Sequence, residues 1–260
     1  MKMDFSNMSR RKTILITGAT SGVGFALTKQ LLAVGHQVTA TGRSKDVLWE
    51  LQNDGAHAIP ADLAEIGEAE RLVERIDTPD VAIFSAGLGL FGPAHEMPDD
   101  AIDNMLDLNV KAPMLLAKRL MPGMMERGSG QLIFIGSQAG KVATPQSAIY
   151  AATKHAILGY ANALRMEAAP FGVHITTINP GPIDTPFIDL ADSSGNYRKA
   201  LGKRILSVET VTNAVLQAIE RPVREVNLPG YMGITSKLYA VAPAFVERVG
   251  RKFFHLKGDS

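Results

Sequence analysis

Tyr150 and Lys154, in the run Tyr150-Ala-Ala-Thr-Lys154, are the side chains whose types and spacing could most readily do chemistry. Four residues apart on a helix, they project from one face, stacked a turn apart. A free phenol has a pKa near ~10, too high for efficient proton exchange at neutral pH. An ammonium about 4 Å from a phenolate, at an effective dielectric of ~20, is worth roughly 4 kcal/mol. At about 1.4 kcal/mol per pH unit, that lowers the phenol by up to about three units, towards neutrality. The expectation is a proton donor and acceptor tuned by its lysine. Any long helix can carry Tyr-x-x-x-Lys, so the meaning of the pair rests on what surrounds it.

The elements that must position this pair begin at the N-terminus. Thr13-Ile14-Leu15-Ile16 is an apolar run of strand type, followed by Thr17-Gly18-Ala19-Thr20-Ser21-Gly22-Val23-Gly24 and a helical pattern through Phe25, Leu27, Leu31, Leu32 and Val34. Strand, glycine-rich turn and helix is the arrangement that sets a dinucleotide pyrophosphate at a helix N-terminus. Gly18 suits the tight turn, Gly22 close backbone approach and Gly24 helix packing. The spacing is Gly-x-x-x-Gly-x-Gly rather than the commoner Gly-x-Gly-x-x-Gly.

Further along, short apolar runs alternate with longer helical patterns, as a parallel sheet with crossover helices requires. Strands are expected at Gln37–Ala40, Ala56–Pro60, Val81–Phe84, Gly130–Ile135, Val173–Ile178 and Glu225–Leu228. Helices are expected at Lys45–Asn53, Ile66–Arg75, Asp99–Arg127, Ala148–Ala169 and Ser207–Glu220, with Pro113 and Pro122 bending or stopping the third. Gly181–Lys203, rich in Pro, Ser, Asp and Gly, is expected to be a mobile stretch over the ligand edge of the sheet.

Composition narrows the function classes. With 27 Lys and Arg against 26 Asp and Glu, the chain has no global electrostatic attraction to nucleic acid. The absence of cysteine excludes disulfides, thiol catalysis and cysteine-based metal sites. The six histidines lack ligand spacing, so no metal is expected. The opening residues 1–12 are polar and lack a signal-peptide core, and no apolar stretch is long enough for a transmembrane segment. A cytoplasmic protein forming one domain over residues 1–260 is expected.

Taken in order, Thr17-Gly18-x-x-x-Gly22-x-Gly24, Asp62-Leu63, Ser85-Ala86-Gly87, Asn109, Ser137, Tyr150-x-x-x-Lys154 and Asn179-Pro180-Gly181 resemble the short-chain dehydrogenase/reductase family, single-domain branch, from roughly Lys12 to Leu228. The resemblance implies a Rossmann-type doubly wound α/β fold, with a mostly parallel seven-stranded sheet and helices on both faces. It implies NADP(H)- or NAD-dependent interconversion of a carbonyl and an alcohol, with Asn109, Ser137, Tyr150 and Lys154 catalytic. Ser137, at a strand end, would polarise the substrate oxygen and orient Tyr150. It has no adjacent acid and histidine and lacks the Gly-x-Ser-x-Gly elbow of a hydrolase. Asn109 would hold a water near Lys154 and complete a proton relay, against the alternative of a polar defect in a helix. Cofactor contacts would come from Gly18, Thr20, Ser21, Gly22, Val23, Gly24, Arg43, Asp62, Leu63, Ser85, Ala86, Gly87, Asn109, Tyr150, Lys154, Pro180, Gly181, Ile183 and Thr185. Asp62 would bond the adenine amino group, or else cap the next helix. Ser85 stands where many family members carry asparagine.

Cofactor choice turns on the end of the second strand. Thr39-Ala40-Thr41-Gly42-Arg43-Ser44-Lys45 has no carboxylate to bond ribose hydroxyls, whereas Arg43 offers a forked, charge-assisted pair to a 2′-phosphate. NADP(H) is therefore expected over NAD(H), with Ser44 and Lys45 adding a hydroxyl and a cation. The substrate is expected to be a small apolar ketone, aldehyde or secondary alcohol, because Leu88, Leu90, Phe91, Val142, Ala143, Ile183, Phe187 and Ile188 are the candidate pocket residues. Half of these equally suit the core. The alternatives are an NADP-binding regulator or scaffold without turnover, and a nucleotide-sugar epimerase, for which the C-terminal region is short. The resemblance further implies a homodimer or homotetramer paired through Asp99–Arg127 and Ala148–Ala169. Residues 231–260 form a helical extension, with a basic amphipathic pattern over Ser236–Phe254 that suits an interface, the substrate mouth or a membrane surface.

Overall fold

The computed structural model describes residues 11–192 and 195–249. Seven strands form one sheet: β1 (Thr13–Thr17), β2 (Gln37–Gly42), β3 (His57–Pro60), β4 (Val81–Phe84), β5 (Gly130–Ile135), β6 (Val173–Pro180) and β7 (Glu225–Leu228). Their spatial order is β3-β2-β1-β4-β5-β6-β7 and every pair is parallel, so the sheet is wholly rather than mostly parallel. Alternate residues of each strand feed opposite faces. Leu15, Ala82, Phe84, Leu132 and Phe134 build one core with Leu116, Leu120, Ile157 and Ala161. Ile14, Ile16, Ile83 and Ile133 build the other with Leu27, Leu31, Val211 and Val215. A sheet covered on both faces needs continuous apolar strands, and β4 is buried at every residue.

The helices are α1 (Gly22–Ala33), α2 (Lys45–Asn53), α3 (Glu68–Val73), α4 (Asp99–Leu106), α5 (Ala112–Arg127), α6 (Ala148–Ala168), α7 (Pro186–Ala191), α8 (Asn196–Leu201), α9 (Val208–Glu220), α10 (Tyr231–Val241) and α11 (Pro243–Val249). Strands β4, β5 and β7 and helix α2 have the expected bounds. The single helix expected over Asp99–Arg127 is instead α4 and α5 joined by a π turn at Asp107–Lys111. Pro113, in the first turn of α5, has no N–H for the carbonyl of Asn109 four residues back, so the helical ladder is interrupted there. Pro122 lies inside α5 without ending it. Helix α3 is shorter than expected because Gly67, at φ +83°, ends it on the N-terminal side. Gly181–Lys203, expected as a mobile stretch, carries α7 and α8, and its base is closed by a parallel bridge between Ile183 and Leu206. In the tail, α10 and α11 run from Tyr231 to Val249, and the part of the expected extension over residues 250–260 lies outside the described residues.

The C-terminal ends of β1, β4, β5 and β6 share one edge. Between β1 and β4 the chain order reverses, which opens a crevice there.

Candidate active site

The glycine turn sits at that crevice with no room to spare. Gly18 adopts φ +67°, and a Cβ there would lie 2.7 Å from Ala86 backbone. A Cβ on Gly24 would lie 2.2 Å from the Gly18 carbonyl oxygen, so Gly24 admits the turn itself rather than the strand. Ser21 occupies the N-cap of α1 in an extended conformation without a side-chain cap, and no acid stands in the first turn. The first amides of α1 are thus presented to the crevice in a positive field, the chemistry an anionic pyrophosphate requires. Gly22, at φ +51°, lies against Thr185, whose Cγ2 would be 3.1 Å from a Cβ there. This brings the chain after β6 to the start of α1.

Thr17, which sequence reasoning quoted only as part of the turn, proves structural. Its Oγ1 accepts from the Ser85 and Ala86 N–H groups, both at 3.1 Å, and fixes Ser85-Ala86-Gly87 beside the turn. A Cβ on Gly42 would meet Thr20 Oγ1 at 2.6 Å, so the end of β2 also abuts the turn. Arg43 follows, largely exposed, with Nη1 3.8 Å from Asp62 Oδ2. Asp62 caps no helix: its Oδ1 accepts from Ala64 N–H at 3.2 Å within a local turn. Ser44, expected to offer its hydroxyl to a phosphate, instead caps α2 by accepting from Val47 N–H. Val23 and Leu63 are core residues, and Ile183 packs against the core, so their contribution to a ligand falls to the backbone. Pro180 ends β6, and the N–H of Gly181 donates to Leu228 O at 2.7 Å.

Ser137 leaves β5 as the N-cap of a 3-10 turn, accepting from Ala139 N–H at 3.0 Å. That turn rests on α6, where a Cβ on Gly140 would lie 2.6 Å from Lys154 O. Gln138 ties it to the sheet by donating to Asn179 O at 2.7 Å and Asn227 Oδ1 at 3.0 Å. Tyr150 and Lys154 are both buried, at 8% and 6% exposure. Lys154 Nζ donates to Ile135 O at 3.0 Å and lies 5.7 Å from the centroid of the Tyr150 ring. Asn109 is buried and fully engaged through its side chain: Oδ1 accepts from Leu88 N–H at 2.9 Å, and Nδ2 donates to Leu88 O at 2.8 Å and Thr153 Oγ1 at 3.1 Å.

The expected lowering of the phenol by Lys154 is corrected by this geometry. Burial dominates and pushes Tyr150 up to about 12, and a hydrogen bond with Ser137 draws it back only in part. Burial also pulls Lys154 down to about 8. Spacing places the two groups together, but the same enclosure that brings them close strips both of water, which opposes either charge.

Aromatic rings close over Tyr150. Phe187 of α7 is 5.5 Å from it and Phe91 5.9 Å, centroid to centroid, and Tyr197 of α8 stands edge-on to Phe91 at 5.3 Å. Phe91 N–H donates to Ala191 O at 2.8 Å. Ile188 is core rather than pocket, and Leu88 packs against the core. Arg198 clasps this cover: Nε and Nη2 donate to the two Asp189 oxygens at 2.7 and 3.0 Å, Nη1 to Asp184 Oδ1 at 2.6 Å. Tyr197 and Arg198 were missed from sequence, where nothing but a lone aromatic and a lone cation marks them.

Comparison with known proteins places this chain in a family. Residues 12–194 match the family described as short chain dehydrogenase. An uncharacterized oxidoreductase of Staphylococcus aureus strain MRSA252 is 33% identical over 219 residues, covering 81% of this chain and 92% of the relative. The closed form of a serine dehydrogenase complexed with NADP+ is similar in structure, with a TM-score of 0.78 and 28% identity over 83% of this chain and 94% of that one. Serine dehydrogenase from Escherichia coli has a TM-score of 0.71 at 28% identity, over 83% and 95%. The chain belongs to the short-chain dehydrogenase/reductase family. It is an oxidoreductase of a family that uses nicotinamide cofactors.

Proposed function

We propose that the protein is an NADP(H)-dependent oxidoreductase that interconverts a carbonyl and an alcohol on a small apolar ketone, aldehyde or secondary alcohol. The observation that carries this reading is the buried Tyr150 phenol, hydrogen-bonded with Ser137, set beside Lys154 and enclosed by Phe91 and Phe187.

The fit of a dinucleotide rests on the glycine cradle and the uncapped first turn of α1. Gly18, Thr20, Ser21, Gly22, Val23 and Gly24 would hold the pyrophosphate, Asp62 and Leu63 the adenine side, and Ser85, Ala86, Gly87, Pro180, Gly181, Ile183 and Thr185 the remainder. Arg43 would meet a 2′-phosphate, in exchange for its loose contact with Asp62. When bound, the nicotinamide supplies hydride to the carbonyl carbon. Ser137 donates a hydrogen bond to the carbonyl oxygen, and Tyr150 gives that oxygen its proton as negative charge develops. A phenol pushed up by burial is fully protonated at neutral pH, which suits the reductive direction. Lys154 keeps a positive charge beside the phenolate that results.

The Asn109 side chain is committed to Leu88 and Thr153, and Thr153 Oγ1 in turn donates to Tyr150 O at 2.8 Å. A water relay towards Lys154 therefore falls to the Asn109 backbone carbonyl, which Pro113 cannot bond. Cytoplasmic location and pairing as a homodimer or homotetramer belong to the same proposal. Helix α6 turns Ala152, Ala156, Gly159 and Ala163 outward, a smooth surface for a second helix. Among the described residues, no helix is long and apolar enough to cross a membrane.

Two measurements test this function. Tyr150→Phe should lose roughly 10²–10⁴-fold in kcat for reduction of apolar ketones while NADPH binding is retained; unimpaired turnover would eliminate the mechanism, and wild-type binding without any turnover would leave a nucleotide-binding scaffold. Arg43→Ala should raise the KM for NADPH about tenfold or more and leave that for NADH nearly unchanged, the size expected for a charge-assisted pair. Equal changes would show that Arg43 does not read the phosphate.

A further inference from the structure

Helix α10 packs one side on the fold and leaves an apolar series on the other. Its inner side seats on the sheet edge: Met232 Sδ would touch a Cβ on Gly181 at 3.3 Å, a Cβ on Gly233 would touch Asn227 Nδ2 at 3.1 Å, and Ser236 is buried. Its outer side carries Tyr231, Ile234, Leu238 and Val241, and Phe245 and Val249 continue the series on α11. All six are more than half exposed, up to 84% at Val241. Within α10 the four recur every three or four residues, the spacing of one helical face, and Phe245 and Val249 stand four apart on α11. Ala242, at φ −138° and ψ 62°, separates the two helices, its N–H donating to Leu238 O while its carbonyl accepts from Val246 N–H. The Tyr239 hydroxyl donates to Glu247 at 2.9 Å across the joint. An exposed apolar strip of this kind marks an interaction surface.

Charge selects the cover. Five of the chain's 27 Lys and Arg but only two of its 26 Asp and Glu fall in residues 231–260. Exposed Lys237 and Arg248 precede Leu238 and Val249 directly, so each stands on the flank of the apolar face. The sequence then continues Arg251-Lys252-Phe253-Phe254, again cations beside large apolar side chains. In a second copy, the same residues offer only Glu247 and Asp259 as counter-charges to these cations, and Glu247 already accepts from Tyr239. An anionic lipid surface complements both features: acyl chains take the apolar strip and headgroups take the flanking cations.

We propose that α10 and α11 dock the protein on the surface of an anionic bilayer, lying in the headgroup plane without crossing it. Because α10 rests against Gly181, just beyond the end of β6, docking brings the ligand edge of the sheet close to the lipid, where apolar carbonyl compounds partition. The docking itself is independent of the reaction proposed above.

The test is co-sedimentation of the full chain with phosphatidylglycerol vesicles and with phosphatidylcholine vesicles at low salt. The protein is expected to pellet with the first and not the second, and to be released as salt is raised. Val241→Asp together with Phe245→Asp should weaken binding at least tenfold. Lys237→Gln and Arg248→Gln, mild surface changes that leave the fold intact, should each weaken it about fivefold. Ketone reduction in vesicle-free buffer should be unchanged in all three variants, which separates this proposal from the catalytic one. Recovery of the wild-type chain in the supernatant with both vesicle types would overturn it. So would a vesicle-indifferent oligomer that the Asp substitutions split into monomers, since a second copy would then be the cover.

Discussion

The two sides of the active site are built from different materials. On the cofactor side the shape is made by backbone: Gly18, Gly22 and Gly24 sit where a single added carbon would enter neighbouring main chain or crowd Thr185. On the proposed substrate side it is made by side chains around Tyr150: Phe91 from the loop after β4, and Phe187 and Tyr197 on two six-residue helices clasped by Arg198. A surface of packed backbone has one shape and tolerates no insertion, whereas rings on short helices can part and close again. The first suits the proposed dinucleotide, the second the proposed carbonyl substrate.

If that contrast holds, the largest effect belongs to the backbone side. Gly24→Ala puts a carbon 2.2 Å from the Gly18 carbonyl, so α1 must shift and the turn with it. We expect at least a hundredfold loss of NADP(H) affinity, and a stability loss of about 1–3 kcal/mol from overpacking. A variant with unchanged affinity by fluorescence titration would mean the turn is pliable, and the contrast would fail.

Lys154→Met tests the floor between the two sides. The folded pKa near 8 lies below the ordinary value of 10.5, so burying the cation opposes folding by about 3 kcal/mol at pH 7. That opposition is full below pH 8 and fades as pH rises towards 10.5, where the unfolded chain also loses its proton. The variant should therefore lose turnover yet melt higher than wild type at pH 7, with the advantage shrinking at pH 9 and above. A lower Tm at pH 7 would show that the bond to Ile135 O outweighs the cost of burial.

The smallest effect is expected at the clasp. Arg198→Gln removes the tie between α7, α8 and the chain after β6 without touching Tyr150. The KM for the carbonyl substrate should rise about three- to tenfold, with kcat and NADPH affinity nearly unchanged, because exposed ion pairs are individually weak. An unaltered KM would mean that the aromatic cover stands without it.

The same contrast explains what could be read from sequence. Backbone-built features leave signatures in residue type and spacing, so the glycine turn, the bounds of β4, β5 and β7, and the joint placement of Ser137, Tyr150 and Lys154 were legible. Features that depend on three-dimensional enclosure were not. The spacing of Tyr150 and Lys154 reports proximity, but whether the phenol is lowered or raised depends on burial by Phe187 and Phe91, which lie 37 residues after Tyr150 and 59 before it. The π turn at Asp107–Lys111 was hidden because Asn109 and Pro113 signal an irregular helix without specifying which irregularity. Ser44 could have served a phosphate or a helix N-terminus, and α2 claimed it. Arg198 finds its acids 9 and 14 residues away, at distances no local pattern encodes.

The wholly parallel sheet also constrains how the chain assembles. No two of its strands are joined by a hairpin, so every pairing waits for a crossover. Strand β1 precedes the other six strands and pairs with β2, the next in sequence, yet its other edge meets Val81–Phe84 only after two more crossovers. The apolar cluster around Leu27 and Leu31 on α1 is completed by Val211 and Val215 of α9, nearly two hundred residues later. A nascent chain stopped before α9 exposes the same isoleucines and leucines that the finished protein hides. This sheet is therefore completed only when α9 and β7 are in place, and a chain cut before them should be a substrate for chaperones and proteases rather than a smaller working enzyme.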